Sequence, residues 1–544
     1  MRISKVKISH FKCYDDTFTL DLNAGLNVIV GANESGKTTI LEAIHLALTG
    51  LLHGRPLRHD LTSYLFNLAA QDRYVASLST GAPLPPPAIT IELFFEGEGP
   101  ELAELEGNGN SEKIKVSGVV YKVAFDEDNY KDAYEALVKT GELTSIPIEY
   151  YEATTTSFAR KRVTARNIPI KSALIDSSSS RLQNGSDLYV SRIIRDVLEE
   201  AERASISQAH RKLKEAFVAD PNLGLINKRI TKAAKISQKE VSISVDLSSQ
   251  TAWESSLMTY IDKVPFQYIG KGEQCVIKTK LALSAKKNAE ATAILLEEPE
   301  NHLSHARLNE LIADLTDEHG QKQIIISTHS SFVANKLGLD HLIVLREGAV
   351  ARISELKASD FFKKLAGYDT LRLTLAKRAI LVEGDSDELI VQRAYMDGHG
   401  GRLPIQDGID VISVGTAFLR FLELAGKLKI PVAVVTDNDG DAAAVAKRYA
   451  AYKDSKTVKL CYDPVVDTGP LEIKGKPYNY NTLEPKLLKA NDLATLNPIL
   501  GVSAKTDTEL QLHMRATKTE TALAIFGSKT KIKYPDYITQ ATGL

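Results

Sequence analysis

Unbroken apolar runs punctuate this chain. Leu26-Asn-Val-Ile-Val30, Ile294-Leu-Leu296, Gln323-Ile-Ile-Ile326, Arg378-Ala-Ile-Leu-Val382, Ile409-Asp-Val-Ile412 and Pro431-Val-Ala-Val-Val-Thr436 leave almost no polar face. That is the pattern of short strands buried on both sides in a parallel sheet. Met1–Ile8 and Ala88–Phe95 alternate instead, and Val6–Phe11 and Ile114–Phe125 also read as strand. Helices are predicted over Thr39–Leu48, Tyr130–Lys139, Gln274–Ser284 and Leu188–Phe217. In the last of these Ile193, Ile194, Val197 and Leu198 recur at helical spacing among many charges. Val241–Asp246 alternates again and reads as the return of a sheet. Strands alternating with helices make this an α/β chain.

Composition narrows the picture only modestly. A chain of 544 residues is long enough for several domains. Its net charge of −2 gives no global field toward nucleic acid, so any such contact needs local basic patches. Arg160, Lys161, Arg162, Arg166 and Lys171 form one cluster, which a solvated face explains equally well. Cys13, Cys275 and Cys461 are too scattered for a disulfide framework or a cysteine zinc site, in keeping with a reducing cytoplasm. The N-terminus lacks the apolar core of a signal peptide, and no apolar run is long enough to span a membrane.

The first chemistry follows Val30. Gly31-Ala32-Asn33-Glu34-Ser35-Gly36-Lys37-Thr38-Thr39 fits G-x-x-x-x-G-K-[ST] between a strand and a helix. In that context the glycines let backbone N–H groups curl around phosphates at the positive end of the helix. Lys37 would reach the β- and γ-phosphates of ATP, and the Thr38 hydroxyl would take a place on Mg²⁺. Further on, Gly270-Lys-Gly272-Glu273-Gln274 opens a helix, Ile294–Leu296 ends in Glu297-Glu298-Pro, and Gln323–Thr328 ends in His329.

The second chemistry is a pair of acidic strand ends. Arg378–Val382 runs into Glu383-Gly384-Asp-Ser-Asp387-Glu388, and Pro431–Thr436 runs into Asp437-Asn-Asp439-Gly-Asp441. Ser386 is the expected N-cap of the helix after Glu383, with Asp387 turning back toward the same point. Hard carboxylate oxygens from two strand ends at one sheet edge suit Mg²⁺ or Mn²⁺. Either half alone is explained by a solvated helix start or turn. Both together favour a metal site.

These motifs carry resemblances. Glu383-Gly384, the small turn Ser413-Val-Gly415 and Asp437-x-Asp439 resemble the Toprim fold of topoisomerases, primases and a family of nucleases. The P-loop, Gly270–Gln274, Glu297-Glu298-Pro and His329 stand in the order of ABC-type ATPases. That likeness implies a signature loop (Gly270, Gly272, Glu273) reaching the nucleotide of a second subunit, Glu298 polarising the attacking water, and His329 sensing the γ-phosphate. Glu297 departs from the Asp that many such proteins carry. Together the two halves resemble the OLD family of nucleases over residues 1–340 and 375–544, a family that includes subunits of Gabija-type and retron-associated anti-phage systems. The family pattern adds Thr482-Leu-Glu484 and a lysine opening a late helix, best matched by Lys518, with Lys529, Lys531 and Lys533 as competitors.

The resemblance implies a cytoplasmic, ATP-hydrolysing DNA endonuclease. Its metal ligands would be Glu383, Asp387, Asp437, Asp439 and Glu484, and Lys518 would be a phosphate-neutralising cation. Its partners would be DNA, a second copy of the chain and a further defence component such as a helicase or a retron reverse transcriptase. The expected layout is an ABC-type ATPase over 1–150 and 236–350, interrupted by a helical, dimerising insertion over 151–235. A linker over 351–374 then leads to a Toprim domain with a helical end over 375–544. Three other readings stay open: a DNA-repair ATPase of the RecF or SMC kind, a Toprim primase or topoisomerase, and an ATP-binding sensor or scaffold without nuclease turnover.

Overall fold

The computed structural model describes residues 1–544 other than 81–82, 142, 177–181, 184–185, 188–197, 234–241, 245–252, 254–258, 285–291, 302, 305, 308–309, 311–312, 314–321, 331–338, 347 and 359–367. By contacts the chain divides into two compact units. One is Met1–Ile29 with Gly36–Thr328, and the other is Val30–Ser35 with His329–Leu544.

In the first unit, β1 (Arg2–Ser9) pairs antiparallel with β2 (Phe18–Asp21). The next elements along the chain are β3 (Leu26–Gly31), whose last two residues count with the second unit, and α1 (Lys37–Thr49). The other edge of β1 takes β4 (Ile89–Glu96), which pairs with β5 (Val116–Phe125). Alternation decides which side is core. Ile3, Val6 and Ile8 of β1 and Ile89, Ile91 and Leu93 of β4 are fully buried, while Lys5 and Lys7 face out and share Glu112. A helix α2 (Glu127–Thr140) follows.

The chain then departs from the expected layout. Residues from 151 onward, expected in the insertion, first form β6 (Tyr151–Ser157), antiparallel to β5. They then form β7 (Ser172–Asp176), parallel to a later strand. Only beyond them come the helices α3 (Glu200–Val218) and α4 (Pro221–Ala233), with Leu213, Phe217, Leu225 and Ile226 exposed. The predicted helical stretch 188–197, the serine run 177–180 and most of Val241–Asp246 lie outside the described residues. Ser242–Ser244 form no strand. After α5 (Lys271–Ser284) the sheet resumes with β8 (Ala293–Glu297) and β9 (Gln323–Thr328), in parallel register with β7. These strands read as continuous apolar runs because both faces are covered. At the start of β9, Gln323 is buried. Its amide donates to the Ile3 and Asn23 carbonyls at 2.7 and 2.8 Å, and its Oε1 accepts from Ile3 N at 2.9 Å. A buried amide satisfied in this way ties the parallel strands to the antiparallel sheet.

The second unit opens with the hairpin of β10 (Leu342–Arg346) and β11 (Ala349–Arg352). Within the expected linker Ile353 and Leu356 are buried, and α6 (Tyr368–Leu375) is helical. Arg346 donates to the Ala376 carbonyl and, at 2.7 Å, to that of Lys377. The chain then winds through β12 (Arg378–Val382), α7 (Asp385–Gly398), β13 (Ile409–Ser413), α8 (Phe418–Lys427), β14 (Val432–Val435), α9 (Ala442–Arg448) and β15 (Val458–Cys461). Among the described residues these strands make a parallel sheet in the order β13-β12-β14-β15. The helices α10 (Leu483–Ala490), α11 (Leu493–Leu500), α12 (Asp507–Ala516), α13 (Lys518–Gly527) and α14 (Asp536–Thr542) complete one apolar core with this sheet. Strand order reverses between β12 and β14. Such a switch point opens a crevice at the C-terminal strand ends.

Candidate functional site

The residues singled out by the sequence fall into two sets. The first includes the start of α1. Gly36 has φ 94°, and a Cβ there would lie 2.5 Å from the Tyr14 hydroxyl, so a side chain is excluded twice over. Gly31 is equally closed, with the Leu345 carbonyl 2.7 Å from where its Cβ would stand. Ala32, Asn33, Glu34 and Ser35 fill the loop between them, and Thr39 is buried in the first turn of α1.

Lys37 is 5% exposed, and burial lowers its pKa, opposed by Glu298, Glu300 and Glu297 around it. The Thr38 hydroxyl donates to Glu297. Glu298 holds a left-handed backbone at φ 40°, uncommon for a residue with a side chain. Its N–H donates to the Ser327 carbonyl at 2.9 Å, and its Oε2 accepts from Asn301 Nδ2 at 2.9 Å. Glu300 accepts from the Thr328 hydroxyl at 2.5 Å. Glu300, Asn301 and Thr328 escaped the sequence reading. Their only signal was polarity at the end of β9 or just after β8.

His329 directly follows β9 and is exposed. Gly270 and Glu273 at the head of α5 are exposed and Gly272 is half-buried. Gln274 is buried and donates to the Ile269 carbonyl at 2.9 Å, bracing that loop from beneath.

The second set lies at the switch point of the second unit. Glu383 follows β12, and its Oε1 accepts from the Thr436 hydroxyl at 2.5 Å and from Asp437 N at 3.1 Å, both at the end of β14. The expected cap by Ser386 is not formed. The cap position is Gly384, and Asp387 turns back to accept from Gly384 N at 3.0 Å. Three residues into a helix is the geometry from which a carboxylate reaches the cap N–H, whereas Ser386 already lies inside the first turn.

Asp437 is half-buried and Asp439 exposed, the latter with a left-handed backbone at φ 48° and accepting from Asn479 Nδ2 at 2.9 Å. Glu484, in the first turn of α10, is 4% exposed. Lys518 opens α13 and stands 3.2 Å from it. Lys529, Lys531 and Lys533 are exposed in the stretch that follows α13.

The five carboxylates are near enough to act on one another electrostatically. Burial first, then Asp387, Glu383, Asp439 and Glu484, push Asp437 well above the usual carboxylate range. Burial and then Glu383 raise Asp387 to about 7, with Glu484 adding to the shift and Gly384 N–H and Lys518 opposing it. Among the described residues no three His, Cys, Asp or Glu side chains are already arranged to hold a metal ion. The carboxylates converge without closing a cage. Mutually repelling hard-oxygen groups of this kind suit a divalent cation, which would relieve the repulsion.

A pH dependence follows. A carboxyl whose folded pKa lies above its unfolded value of about 3.9 binds more protons folded than unfolded between the two values. Stability from it is therefore present at low pH and is lost as pH rises from about 4 to about 7. In chelator, Asp387→Asn should melt above wild type at pH 8, with the gap closing toward pH 4. Scanning calorimetry across that range measures it, and a gap that does not depend on pH would contradict the raised pKa that burial and then Glu383 give Asp387.

Two family models match this chain. A family model described as "AAA domain" matches residues 5–385, and one described as "Overcoming lysogenization defect protein-like, TOPRIM domain" matches residues 375–439. The DNA replication and repair protein RecF of Heliobacterium modesticaldum is 28% identical over 129 residues, which are 24% of this chain and 32% of RecF. The chromosome partition protein Smc of a Synechococcus species is 31% identical over 104 residues, 19% of this chain and 8% of Smc. The chain thus spans a third or less of the length of these curated relatives. An Smc head domain derived from Pyrococcus furiosus, solved with an extended coiled coil and the C-terminal domain of ScpA, covers 67% of this chain and 99% of its own at 16% identity and TM-score 0.34. Among the described residues no helix is long and apolar enough to cross a membrane. With the AAA domain model spanning well over half of its length and the TOPRIM model beside it, the chain belongs to the AAA-domain ATPases, in the ATPase-then-Toprim architecture of the OLD (overcoming lysogenization defect) family.

Proposed function

We propose that this protein is an ATP-hydrolysing, Mg²⁺- or Mn²⁺-dependent DNA endonuclease acting in anti-phage defence. The observation that carries the reading is the convergence of Glu383, Asp387, Asp437, Asp439 and Glu484 at the switch point of the β12–β15 sheet. These five would hold the divalent ions. When bound, such ions supply an activated water and charge at the leaving 3′ oxygen. Thr436 and the Asp437 N–H orient Glu383 from its side. Lys518, 3.2 Å from Glu484, would balance charge on the scissile phosphate, the electrostatic part of such a reaction.

In the ATPase half, Gly31–Thr39 would cradle the nucleotide phosphates, Thr38 and Glu297 would hold its Mg²⁺, Glu298 would activate water and His329 would sense the γ-phosphate. Gly270, Gly272 and Glu273, at the head of α5 and largely exposed, complete the nucleotide site of a second copy, so the working form is at least a dimer. In this reading the ATPase domain includes β6 and β7 along with residues 1–150 and 236–350, the dimerising insertion is confined to the stretch beyond β7, and the Toprim domain covers 375–544. A cytoplasmic location, and a further defence component as partner, belong to the same reading.

Incubating the purified chain with supercoiled plasmid, Mg²⁺ or Mn²⁺, and with or without ATP tests it. Nicked or linear product that disappears in chelator is expected. The names of the relatives, a DNA replication and repair protein and a chromosome partition protein, favour a second reading as a DNA-repair ATPase. Intact plasmid under every condition, with DNA-stimulated ATP turnover, would select that one.

A further inference from the structure

The turn that presents Asp437 and Asp439 is held from outside itself. Asn438, between them, is 2% exposed. Its Nδ2 donates to the Asp463 carbonyl at 2.6 Å and the Val465 carbonyl at 2.9 Å, and its Oδ1 accepts from Gly440 N at 2.9 Å. Both carbonyls belong to the loop leaving β15. That loop is gripped by Lys486, which is 3% exposed. Its Nζ stands 2.6 Å from Asp463 Oδ2, 2.8 Å from Asp467 Oδ2 and 3.0 Å from the Val465 carbonyl. Three acceptors thus meet the three protons of a buried ammonium, the condition under which burying one is tolerable. Lys486 lies on α10, whose first turn carries Glu484. Asn481, just ahead of that helix, brackets the backbone of Asp467 with its amide at 2.7 and 2.8 Å.

One buried cation therefore joins the two pieces of chain that bring Asp437–Asp439 and Glu484 to the crevice. We propose that Lys486, acting through the loop 463–467 and Asn438, is a positioning residue that sets the spacing of Asp437, Asp439 and Glu484 and thereby the divalent-ion affinity of the site. This rests on the metal reading above. Lys486 is placed to act on spacing alone, since its three protons are already committed to the loop.

The test uses the full chain without nucleotide. Mn²⁺ binding is measured by titration calorimetry and by the loss of the free-ion electron paramagnetic resonance signal. Asn438→Ala removes the link and keeps the ion pairs. The triple variant Lys486→Met, Asp463→Asn, Asp467→Asn removes the clamp without leaving unpaired carboxylates, so one of the two stays informative if the other fails to fold. The expected result is a Mn²⁺ dissociation constant roughly tenfold or more above wild type, the usual cost of losing an outer-shell partner. Cleavage should recover toward wild type at saturating Mn²⁺, and ATP turnover should be unchanged. Folded variants that bind Mn²⁺ as tightly as wild type would overturn the positioning role and leave the metal reading standing. Wild-type protein that binds no Mn²⁺ would overturn both.

Discussion

Glu298→Gln is expected to abolish ATP hydrolysis while nucleotide binding persists. The residue sits one position beyond the apolar strand β8, and its backbone is turned into the left-handed region at φ 40°. Strain of that kind costs about 1–3 kcal/mol and persists only where the surroundings impose it. Here the Ser327 carbonyl fixes the backbone and Asn301 Nδ2 fixes one carboxylate oxygen. Glutamine has the same length, and its amide oxygen can keep the Asn301 bond, so the loop should hold. It has no basic oxygen with which to draw a proton from water. General-base contributions run to about 10²–10⁴ in rate. The carboxylate also raises the pKa of nearby Lys37, against the effect of burial, so the amide removes one of three supporting charges and leaves Glu300 and Glu297 in place. Binding should weaken little.

Glu297→Gln separates the two glutamates. Glu297 accepts from the Thr38 hydroxyl, so its loss should fall on Mg²⁺-dependent nucleotide affinity more than on turnover. Steady-state phosphate release and binding of a fluorescent ATP analogue, measured on both variants, decide the matter. Turnover near wild type in Glu298→Gln would remove it as the base.

Much of this arrangement was legible in the chain because its strands are short and covered on both faces. Ala379–Val382 and Val432–Val435 are apolar throughout, so the acidic residues that follow them had to lie at strand ends. The four-residue spacing of Glu383 and Asp387 likewise implied a helix start turning back on itself. What the sequence did not disclose depends on pairing across distance. Tyr151-Glu-Ala-Thr-Thr-Thr-Ser157 reads as polar, yet its β-branched threonines make a strand once β5 is beside it. Ser172–Asp176 has only a short apolar centre, and its place beside β8 is a contact between residues far apart in the chain. Asn438 and Lys486 looked like an ordinary loop amide and a helix lysine. Only the loop 463–467 folded against both reveals what they hold. The Ser386 cap failed for a local reason. Capping is set by backbone position: the helix begins at Asp385, so Ser386 already lies inside its first turn, and Asp387 reaches back to the N–H of the cap residue Gly384.

A second large effect is expected at Asp437. Asp437→Ala should eliminate DNA cleavage and leave ATP hydrolysis intact. Asp437 ends β14, and the charges of Asp387, Glu383, Asp439 and Glu484 all bear on it. An octahedral Mg²⁺ site tolerates little loss of its hard ligands. The chemistry those ions supply amounts to several kcal/mol of barrier. At 1.36 kcal/mol per decade the rate should fall by at least about a hundredfold. The surrounding structure has reason to survive. The Asp437 N–H that orients Glu383 at 3.1 Å belongs to the backbone and remains in alanine. Removing a carboxylate whose pKa is pushed up by burial first and then by its neighbours should stabilise the metal-free protein at neutral pH, the opposite of an unfolding mutation. Lys37, Thr38, Glu297 and Glu298 lie in the other compact unit, so ATP turnover is the internal control. The decisive measurement pairs plasmid cleavage in Mg²⁺ and in Mn²⁺ with ATP hydrolysis on the same preparation. Cleavage at the wild-type rate in both metals would take Asp437 out of the site. Loss of both activities together, with the melting temperature unchanged, would mean instead that the two chemistries are coupled.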